Sequence, residues 1–287
     1  MKIKLFVVTS LLILSFGFAQ GTPTTAQEAL EAGEAAMQEA LNSYSRNYPD
    51  QPLWREAIDL GKEAVRLEPE RPEPLRFLAE AYSRSNWYGP AYQTWTRYLD
   101  MGGELDSESV PLFAGVGNEL GYTAYSRGDL RSAFDYYRSV IDTVPYDTEA
   151  YVWAGRILIE SGNPDEAIPY WEAVVEREGG DERSEYFLEL ARDQSEWGVD
   201  AVTSFREGVQ LYQDGENLRA REKFAEATVA NDTYAEAWAW LGRTAFEMGD
   251  FPNAQEYYQS AAELEPSNET YSYFYNEAGR RSGSDTD

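Results

Sequence analysis

An arginine follows a tryptophan by three residues at two places in this sequence. The pairs are Trp153 with Arg156 and Trp240 with Arg243, and Arg206 lies between them in the chain. Residues three apart share one face of a helix, so each pair would present an aromatic ring beside a guanidinium group. Arginine binds carboxylates through paired hydrogen bonds, and arginine and the large aromatics dominate binding hot spots. The pairs therefore predict recognition of another molecule.

Catalysis is disfavoured by what the sequence lacks. There is no histidine and no cysteine, which removes Ser-His-Asp and Cys-His nucleophiles and the zinc, copper or haem sites built on those ligands. No glycine-rich phosphate loop is present, so no cofactor is expected. Aspartate and glutamate number 51, which keeps a paired-carboxylate hydrolase as a remote hypothesis. No single acidic pair stands out, and we expect a protein that is not an enzyme.

The elements that would position these residues follow from the spacing of six alanines. Successive alanines are 34, 42, 34, 53 and 34 residues apart, and a recurring period of 34 is typical of stacked helix–turn–helix units. The alanines are Ala57, Ala91, Ala133, Ala167, Ala220 and Ala254.

Small and aromatic residues recur at fixed distances from these alanines. Small residues twelve positions earlier would allow two helices to cross closely, and aromatic residues four positions later would fill the seam between them. The small residues are Ser45, Ala79, Gly121, Gly155, Gly208 and Gly242. The later positions hold Gly61, Trp95, Tyr137, Trp171, Phe224 and Tyr258.

This pattern resembles the tetratricopeptide repeat. The best unit carries Trp238, Leu241, Gly242, Gly249, Ala254, Tyr258, Ala261 and Pro266. The resemblance implies an all-α fold, a right-handed superhelical solenoid of helix–turn–helix repeats over 38–181 and 201–268. The units are 38–71, 72–105, 114–147, 148–181, 201–234 and 235–268.

In this family the first helices line a concave groove, so the resemblance implies a binding surface for a protein or peptide partner. The arginines would favour an acidic or C-terminal segment. The implied groove residues are Phe77, Tyr122, Trp153, Arg156, Arg206, Tyr212, Trp240, Arg243 and Phe246. Two alternatives remain open. The aromatics could pack between first helices while the arginines pair with local glutamates such as Glu80 and Glu236, or the tryptophans could form the pocket of a soluble glycan or small-ligand receptor.

Two interruptions break the period of 34. The longer one corresponds to about one extra helix, which we place at 182–200, where Tyr186, Phe187, Leu190 and Ala191 recur at helical spacing. This segment is either a hinge or a degenerate repeat. The shorter one, near 105–112, is expected to lengthen the start of the next helix, since Pro111 is tolerated in a first turn.

The two ends of the sequence do not follow the repeat pattern. Residues 1–19 have a basic start, an apolar middle and a small-residue exit, which predicts a cleaved signal peptide, with a membrane anchor as the competing interpretation. We expect 20–37 to be a linker and an extension of the first helix, 269–281 a capping helix and 282–287 a disordered tail. The mature protein would be exported to the periplasm or outside the cell, with no remaining transmembrane segment.

The overall charge limits the partners. The net charge is −27, and it becomes −29 without residues 1–19, which contain two lysines and no acids. Such a surface disfavours nucleic acid, which proteins bind chiefly by neutralising phosphates.

Overall fold

The computed structural model describes residues 23–284, and within them the chain is helical with no strand. Its helices follow one another through short connections. They are α1 (Ala26–Ser43), α2 (Pro52–Leu67), α3 (Pro72–Arg84), α4 (Tyr88–Asp100), α5 (Ser109–Ser126), α6 (Leu130–Thr143), α7 (Thr148–Glu160), α8 (Pro164–Glu178), α9 (Glu182–Trp197), α10 (Val199–Gln213), α11 (Asn217–Ala230), α12 (Ala235–Glu247), α13 (Phe251–Leu264) and α14 (Glu269–Ser284). The predicted all-α helical repeat architecture is confirmed.

The described residues form two compact units, which meet in the sequence between Val116 and Gly117. In the first, α1 packs on α2 and α3 on α4; in the second, α7 packs on α8, α10 on α11 and α12 on α13. The turns inside the later pairs contain the glycines expected from the repeat, for example Gly162 and Gly249, whose φ angles are 74° and 78°. Glycine adopts this left-handed conformation without the steric cost that a side chain would add.

The seam between paired helices is built as the spacing predicts. In the second unit, a small residue of each first helix lies directly under an aromatic ring of its second helix. A Cβ atom placed on Gly155 would lie 2.7 Å from Trp171 Nε1, and one on Gly242 would lie 2.9 Å from Tyr258 Cδ2. Gly121 with Tyr137 and Gly208 with Phe224 repeat the arrangement. Glycine is therefore required here by space, because any side chain would displace a buried ring.

The same rings also connect each helix pair to the next first helix. The ring of Tyr258 stacks on Phe274 with 5.2 Å between centroids, and Trp171 stacks on Phe187 at 4.7 Å. Tyr137 with Trp153 and Phe224 with Trp240 form the corresponding stacks. Each glycine, the aromatic ring 16 residues later and the aromatic ring 16 residues after that therefore form one continuous contact, which joins three helices.

The extra helix is α9, which occupies Glu182–Trp197 as expected. Because Phe187 stacks on Trp171 as Trp153 stacks on Tyr137, α9 packs in the manner of a first helix. The chain then turns at Gly198, with φ 89°, directly into α10, another first helix. Helix α9 therefore packs as the first helix of a repeat whose second helix is missing.

The shorter interruption lengthens α5, which begins at Ser109 and contains Pro111 in its first turn. Asp106 holds this start. Its Oδ1 accepts hydrogen bonds from the backbone N–H of Ser109 at 2.9 Å and of Glu108 at 3.1 Å, while Oδ2 lies 2.6 Å from Arg76 Nη2. These contacts lower the pKa of Asp106 to about 2, with the Ser109 backbone hydrogen bond as the main cause.

Two predicted boundaries need correction. Residues 44–51 connect α1 to α2 outside any helix, so Ser45 is not a seam residue and the unit 38–71 starts inside α1. In its place Gly33 and Gly61 approach the ring of Phe77, at 2.7 and 3.1 Å from an added Cβ. Helix α14 extends to Ser284, so 282–284 belong to the capping helix instead of a tail.

The predicted signal peptide, 1–19, lies outside the described residues. Over 23–284, none of the helices combines the length and apolar character that crossing a bilayer requires.

Candidate partner-binding surface

The first group of predicted site residues surrounds Trp153 on α7. Its indole stacks on Tyr137 at 5.8 Å and meets the edges of Tyr125 at 5.0 Å and Tyr122 at 5.6 Å. Trp153 is half-buried, whereas Tyr122 is 53% exposed. One face of the tryptophan thus serves the repeat interface, and the neighbouring tyrosine carries the aromatic surface out to solvent.

Arg156 completes this group, which we call the Trp153 cluster (Tyr122, Tyr125, Tyr137, Trp153, Arg156 and Glu160). Its guanidinium carbon lies 5.2 Å from the Trp153 ring centroid and 5.3 Å from that of Tyr125, within range of cation–π attraction. Arg156 Nε donates to Glu160 Oε1 at 2.8 Å, and the Tyr125 hydroxyl donates to the same oxygen at 2.9 Å. The arginine is therefore fixed in place by a carboxylate one turn further along α7.

Electrostatics keep these groups in their expected protonation states. The hydrogen bond to Glu160 is the main factor raising the pKa of Arg156 above its usual value. Burial, followed by the hydrogen bond to Glu160, raises the pKa of Tyr125, so its hydroxyl stays a donor near neutral pH. The cluster presents a charged guanidinium whose positive charge is largely offset by its carboxylate neighbour.

The same arrangement is repeated around Trp240 on α12. Arg243 lies 4.9 Å from the Trp240 centroid and 5.0 Å from that of Tyr212, and its Nε donates to Glu247 Oε1 at 3.1 Å. The Tyr212 hydroxyl donates to Glu247 Oε1 at 2.7 Å. With Phe224, which stacks under the indole at 5.5 Å, these residues form the Trp240 cluster.

Arg206 has a related setting with different partners. Its Nη2 lies 2.9 Å from Asp193 Oδ2, and its guanidinium lies 4.9 Å from the ring centroid of Tyr186. Both partners belong to α9. The extra helix therefore supplies the aromatic ring, as the preceding first helix does elsewhere, and it also supplies the carboxylate, which for Arg156 and Arg243 comes from the arginine's own helix.

Two further predicted residues are placed differently. Phe77 is 6% exposed in the first unit and fills the space above Gly33 and Gly61, so it offers little surface to a partner. Phe246 packs edge-on against Phe274 at 5.8 Å and lies under the guanidinium of Arg281 at 4.8 Å.

The Trp240 cluster borders a cleft of about 530 Å³ between α12 and α14. Its floor is Tyr258 of α13, and its walls include Trp240, Phe246, Tyr271 and Phe274. A cleft beside Trp240 is the feature that a small-ligand receptor would need. Within the described part of the chain, no group of three or more acidic residues is arranged to hold a metal ion.

Sequence reasoning missed the carboxylates. It proposed Glu80 and Glu236 as arginine partners, and Glu80 does pair with an arginine, Arg76, at 3.0 Å. The partners of Arg156 and Arg243 are Glu160 and Glu247, each four residues after its arginine, a spacing that favours ion pairs on a helix. That spacing was readable in the sequence.

Solved structures of several repeat proteins resemble the chain at low identity. A tetratricopeptide repeat protein from Parabacteroides merdae is 15% identical, with 86% of this chain and 99% of that one covered and a TM-score of 0.38. YrrB, described as a TPR protein with an unusual peptide-binding site, is 18% identical over 75% of this chain and 97% of its own, with a TM-score of 0.31. The TPR2AB domain of yeast Sti1, described as a complex with pHSP90, is 13% identical over 88% of this chain and 98% of its own, with a TM-score of 0.29.

Family models give the assignment by sequence. No curated protein matches the chain. Two models described as tetratricopeptide repeat match it, one over residues 124–188 and one over 235–268. The second match has the boundaries of the unit predicted from Trp238 to Pro266, and the first spans α6 to α8 and enters α9. The chain therefore contains tetratricopeptide repeats, matched in both of these segments.

Proposed function

We propose that this protein is an exported, non-enzymatic scaffold that binds a peptide or protein partner on the first helices of residues 117–284. The observation that carries the proposal is the repetition of one arrangement at Trp153 and Trp240. In each, a half-exposed indole, a tyrosine and a guanidinium are held together by one carboxylate. Arginine, tryptophan and tyrosine are the residues most enriched in binding hot spots, and fixing them in advance lowers the entropy lost on binding.

The preferred partner, in this proposal, carries an acidic segment or a free C-terminal carboxylate. Arg156 and Arg243 use Nε for Glu160 and Glu247, so a partner carboxylate has to compete for the guanidinium or approach its other edge. YrrB, the similar protein described as having a peptide-binding site, is consistent with peptide recognition on this fold.

The test is selection of peptides from a random display library on the immobilised mature chain. Binding of a selected peptide is then compared between the parent and Arg156→Ala/Arg243→Ala, with helical content followed by circular dichroism. We expect the affinity to fall about tenfold or more, as for hot-spot residues, with unchanged helical content.

A matched control removes two arginines from second helices. Arg138 and Arg219 are exposed, and each pairs with an acid on its own helix or at that helix's start. The proposed function is wrong if Arg138→Ala/Arg219→Ala weakens peptide binding as much as Arg156→Ala/Arg243→Ala does. It is also wrong if no peptide is enriched above the uncoated support.

The proposed export of the protein is tested by a separate measurement. The apolar stretch after Lys4 and the small residues Gly17 and Ala19 support cleavage before Gln20. Mass spectrometry of the protein from its native cells should give an N-terminus at Gln20 in the fraction outside the cytoplasm. A full-length protein retained in the cytoplasm would refute export.

A second candidate function is a glycan or small-ligand receptor. The cleft of about 530 Å³ beside Trp240 is the observation that favours it. The size is typical of small-molecule sites, which are commonly apolar clefts with a few polar groups.

A further inference from the structure

The cleft between α12 and α14 combines aromatic walls with one acidic side chain at an end. Trp240 and Tyr271 line it on opposite helices, Phe274 adds to its walls and Tyr258 forms its floor. Glu236 in the first turn of α12 completes it. These side chains belong to the last repeat and its capping helix, so the cleft is formed within the second unit alone.

Glu236 differs from the other carboxylate of the cleft. Glu247 is engaged by Arg243 and by the Tyr212 hydroxyl. Glu236 forms no salt bridge within residues 23–284, and its one hydrogen bond there comes from Trp240 Nε1 at 3.4 Å. The Glu236 residue as a whole is exposed, but partial desolvation of its carboxylate, together with the nearby carboxylates of Asp193, Glu265 and Glu189, raises the pKa of Glu236. The first-turn end of the cleft therefore lies among several carboxylates, of which Asp193 is paired with Arg206, whereas Glu236 has no cationic partner within residues 23–284.

The cations of the cleft lie toward its other end. Arg243 and the pair Phe246–Arg281 are two to three turns along α12 from Glu236, about 10 to 15 Å at the rise of an α-helix. Arg243 is held by Glu247, and Arg281 by Glu277 at 2.8 Å.

We infer that this cleft binds the positively charged side chain of a partner peptide, arginine or lysine, with the charged group at Glu236 and its stem against Trp240 and Tyr271. Aromatic faces attract cations, and the aliphatic stem of arginine or lysine packs well on apolar walls. The inference rests on the proposed function only in that the cation is supplied by a peptide, and it adds a basic position to the partner.

The experiment uses a pair of peptides that differ in charge alone. Acetyl-Gly-Arg-Gly-amide and its citrulline counterpart, which replaces the guanidinium by a neutral urea, are titrated into the ¹⁵N-labelled mature chain. The readout is the indole N–H signal of Trp240, assigned from its loss in Trp240→Phe. We expect a saturable shift with the arginine peptide and binding about five- to tenfold weaker with citrulline.

Variants of the protein locate the charge. Glu236→Gln keeps a hydrogen-bond acceptor for Trp240. It should lower the affinity for the arginine peptide to that for the citrulline peptide. Glu256→Gln removes one charge from the exposed side of α13 and should leave binding unchanged. Equal responses to arginine and citrulline, or equal effects of the two variants, would overturn the inference.

Other occupants are separated by the same readout. A Trp240 shift with methyl glucoside or with acetyl-Gly-Glu-Gly-amide, and none with the arginine peptide, would overturn the inference and favour a glycan or an acidic group. Failure of the arginine peptide leaves the test of Arg156 and Arg243 unaffected. Conversely, a normal arginine response without any enriched library peptide would refute the proposed function while sustaining the cationic site.

Discussion

Single side chains on the first helices combine two tasks. Trp153 and Trp240 each stack on an aromatic residue of the preceding second helix, and each also lies under a guanidinium at the surface. The sequence predicted groove residues and a purely structural alternative as competing hypotheses. The structure shows the packing role, because the inner face of each indole stacks on the preceding second helix, and the binding role proposed above would use the outer edge, which stays half-exposed. Glu160 and Glu247 determine how much positive charge is left for a partner.

This leads to a prediction for the carboxylates. Glu160→Gln/Glu247→Gln keeps acceptors for Tyr125 and Tyr212 but removes the charges opposing Arg156 and Arg243. Affinity for an acidic selected peptide should rise about threefold per site, the scale of a half-exposed ion pair. Isothermal titration calorimetry measures it, with the same peptide carrying glutamine in place of its acids as the control. An unchanged or lower affinity for the acidic peptide would contradict the preference for carboxylates.

The seam glycines give a second prediction at this scale. Gly242→Leu should reduce the free energy of unfolding by about 1–3 kcal/mol, because the new side chain would overlap the ring of Tyr258. Thermal or denaturant unfolding followed by circular dichroism checks it. Gly115→Ala is the matched control, since an added Cβ there meets nothing within 4 Å and alanine favours the helix. Equal stability of Gly242→Leu and the parent would mean that this close approach is absent in solution.

At the scale of helices, the start of α5 depends on one carboxylate. Asp106 is hydrogen-bonded by Ser109 and Glu108 and paired with Arg76, which also pairs with Glu80. Its pKa in the folded state is about 2, below the value of about 4 for an unfolded aspartate. The stabilisation is therefore complete above about pH 4 and is lost as the pH falls toward 2.

The difference in stability between the parent and Asp106→Ala should accordingly shrink as the pH is lowered through this window. Denaturant unfolding at a series of pH values measures it. Asp142→Ala, at an exposed position 3.8 Å from Arg138, controls for loss of one negative charge. A difference that stays constant from neutral pH to about pH 2 would show that the ionised carboxylate does not stabilise the helix start.

Helix α9 gives the other prediction at this scale. Its neighbours are joined to it through Gly179–Gly180 and Gly198, all with positive φ. If the break is a hinge, limited proteolysis of the native protein should cut first near Gly179–Gly180 or Gly198, because local opening concentrates where few contacts cross. Intact-mass analysis of the first fragments identifies the sites. First cuts within 114–147 would instead indicate that α9 is as firmly packed as a regular repeat.

Most helices were predictable because the repeat fixes both the helix faces and the turns. The start of α9 and the extra length of α5 also followed, since the interruptions have the lengths of added helical residues. The prediction for the repeat 38–71 was wrong because Ala57 has no seam partner twelve residues earlier. Ser45, at that position, lies in the connection after α1. The 16-residue spacing from Trp171 to Phe187, which places α9 as a first helix, was present in the sequence but depends on a contact between repeats.

For the whole molecule, charge sets how a partner approaches. Acids outnumber basic residues by 51 to 24, giving a net charge of −27, whereas the arginines of the proposed binding surface are local and paired. At low salt a peptide several ångströms away responds to the net charge before it meets any single guanidinium, since screening lengths are about 10 Å at 0.1 M. Long-range attraction and short-range recognition can therefore have opposite signs for an acidic partner.

The association rate of a basic peptide should fall as salt rises from about 0.05 to 0.5 M, and that of an acidic peptide should rise, because screening removes attraction in one case and repulsion in the other. Stopped-flow fluorescence on two versions of one selected peptide, with lysines or glutamates at its ends, measures both. Dissociation rates should change much less, since they report the close contacts. If the acidic peptide instead associates more slowly at high salt, Arg156, Arg206 and Arg243 dominate the local field despite the net charge, and the carboxylate preference is set during approach.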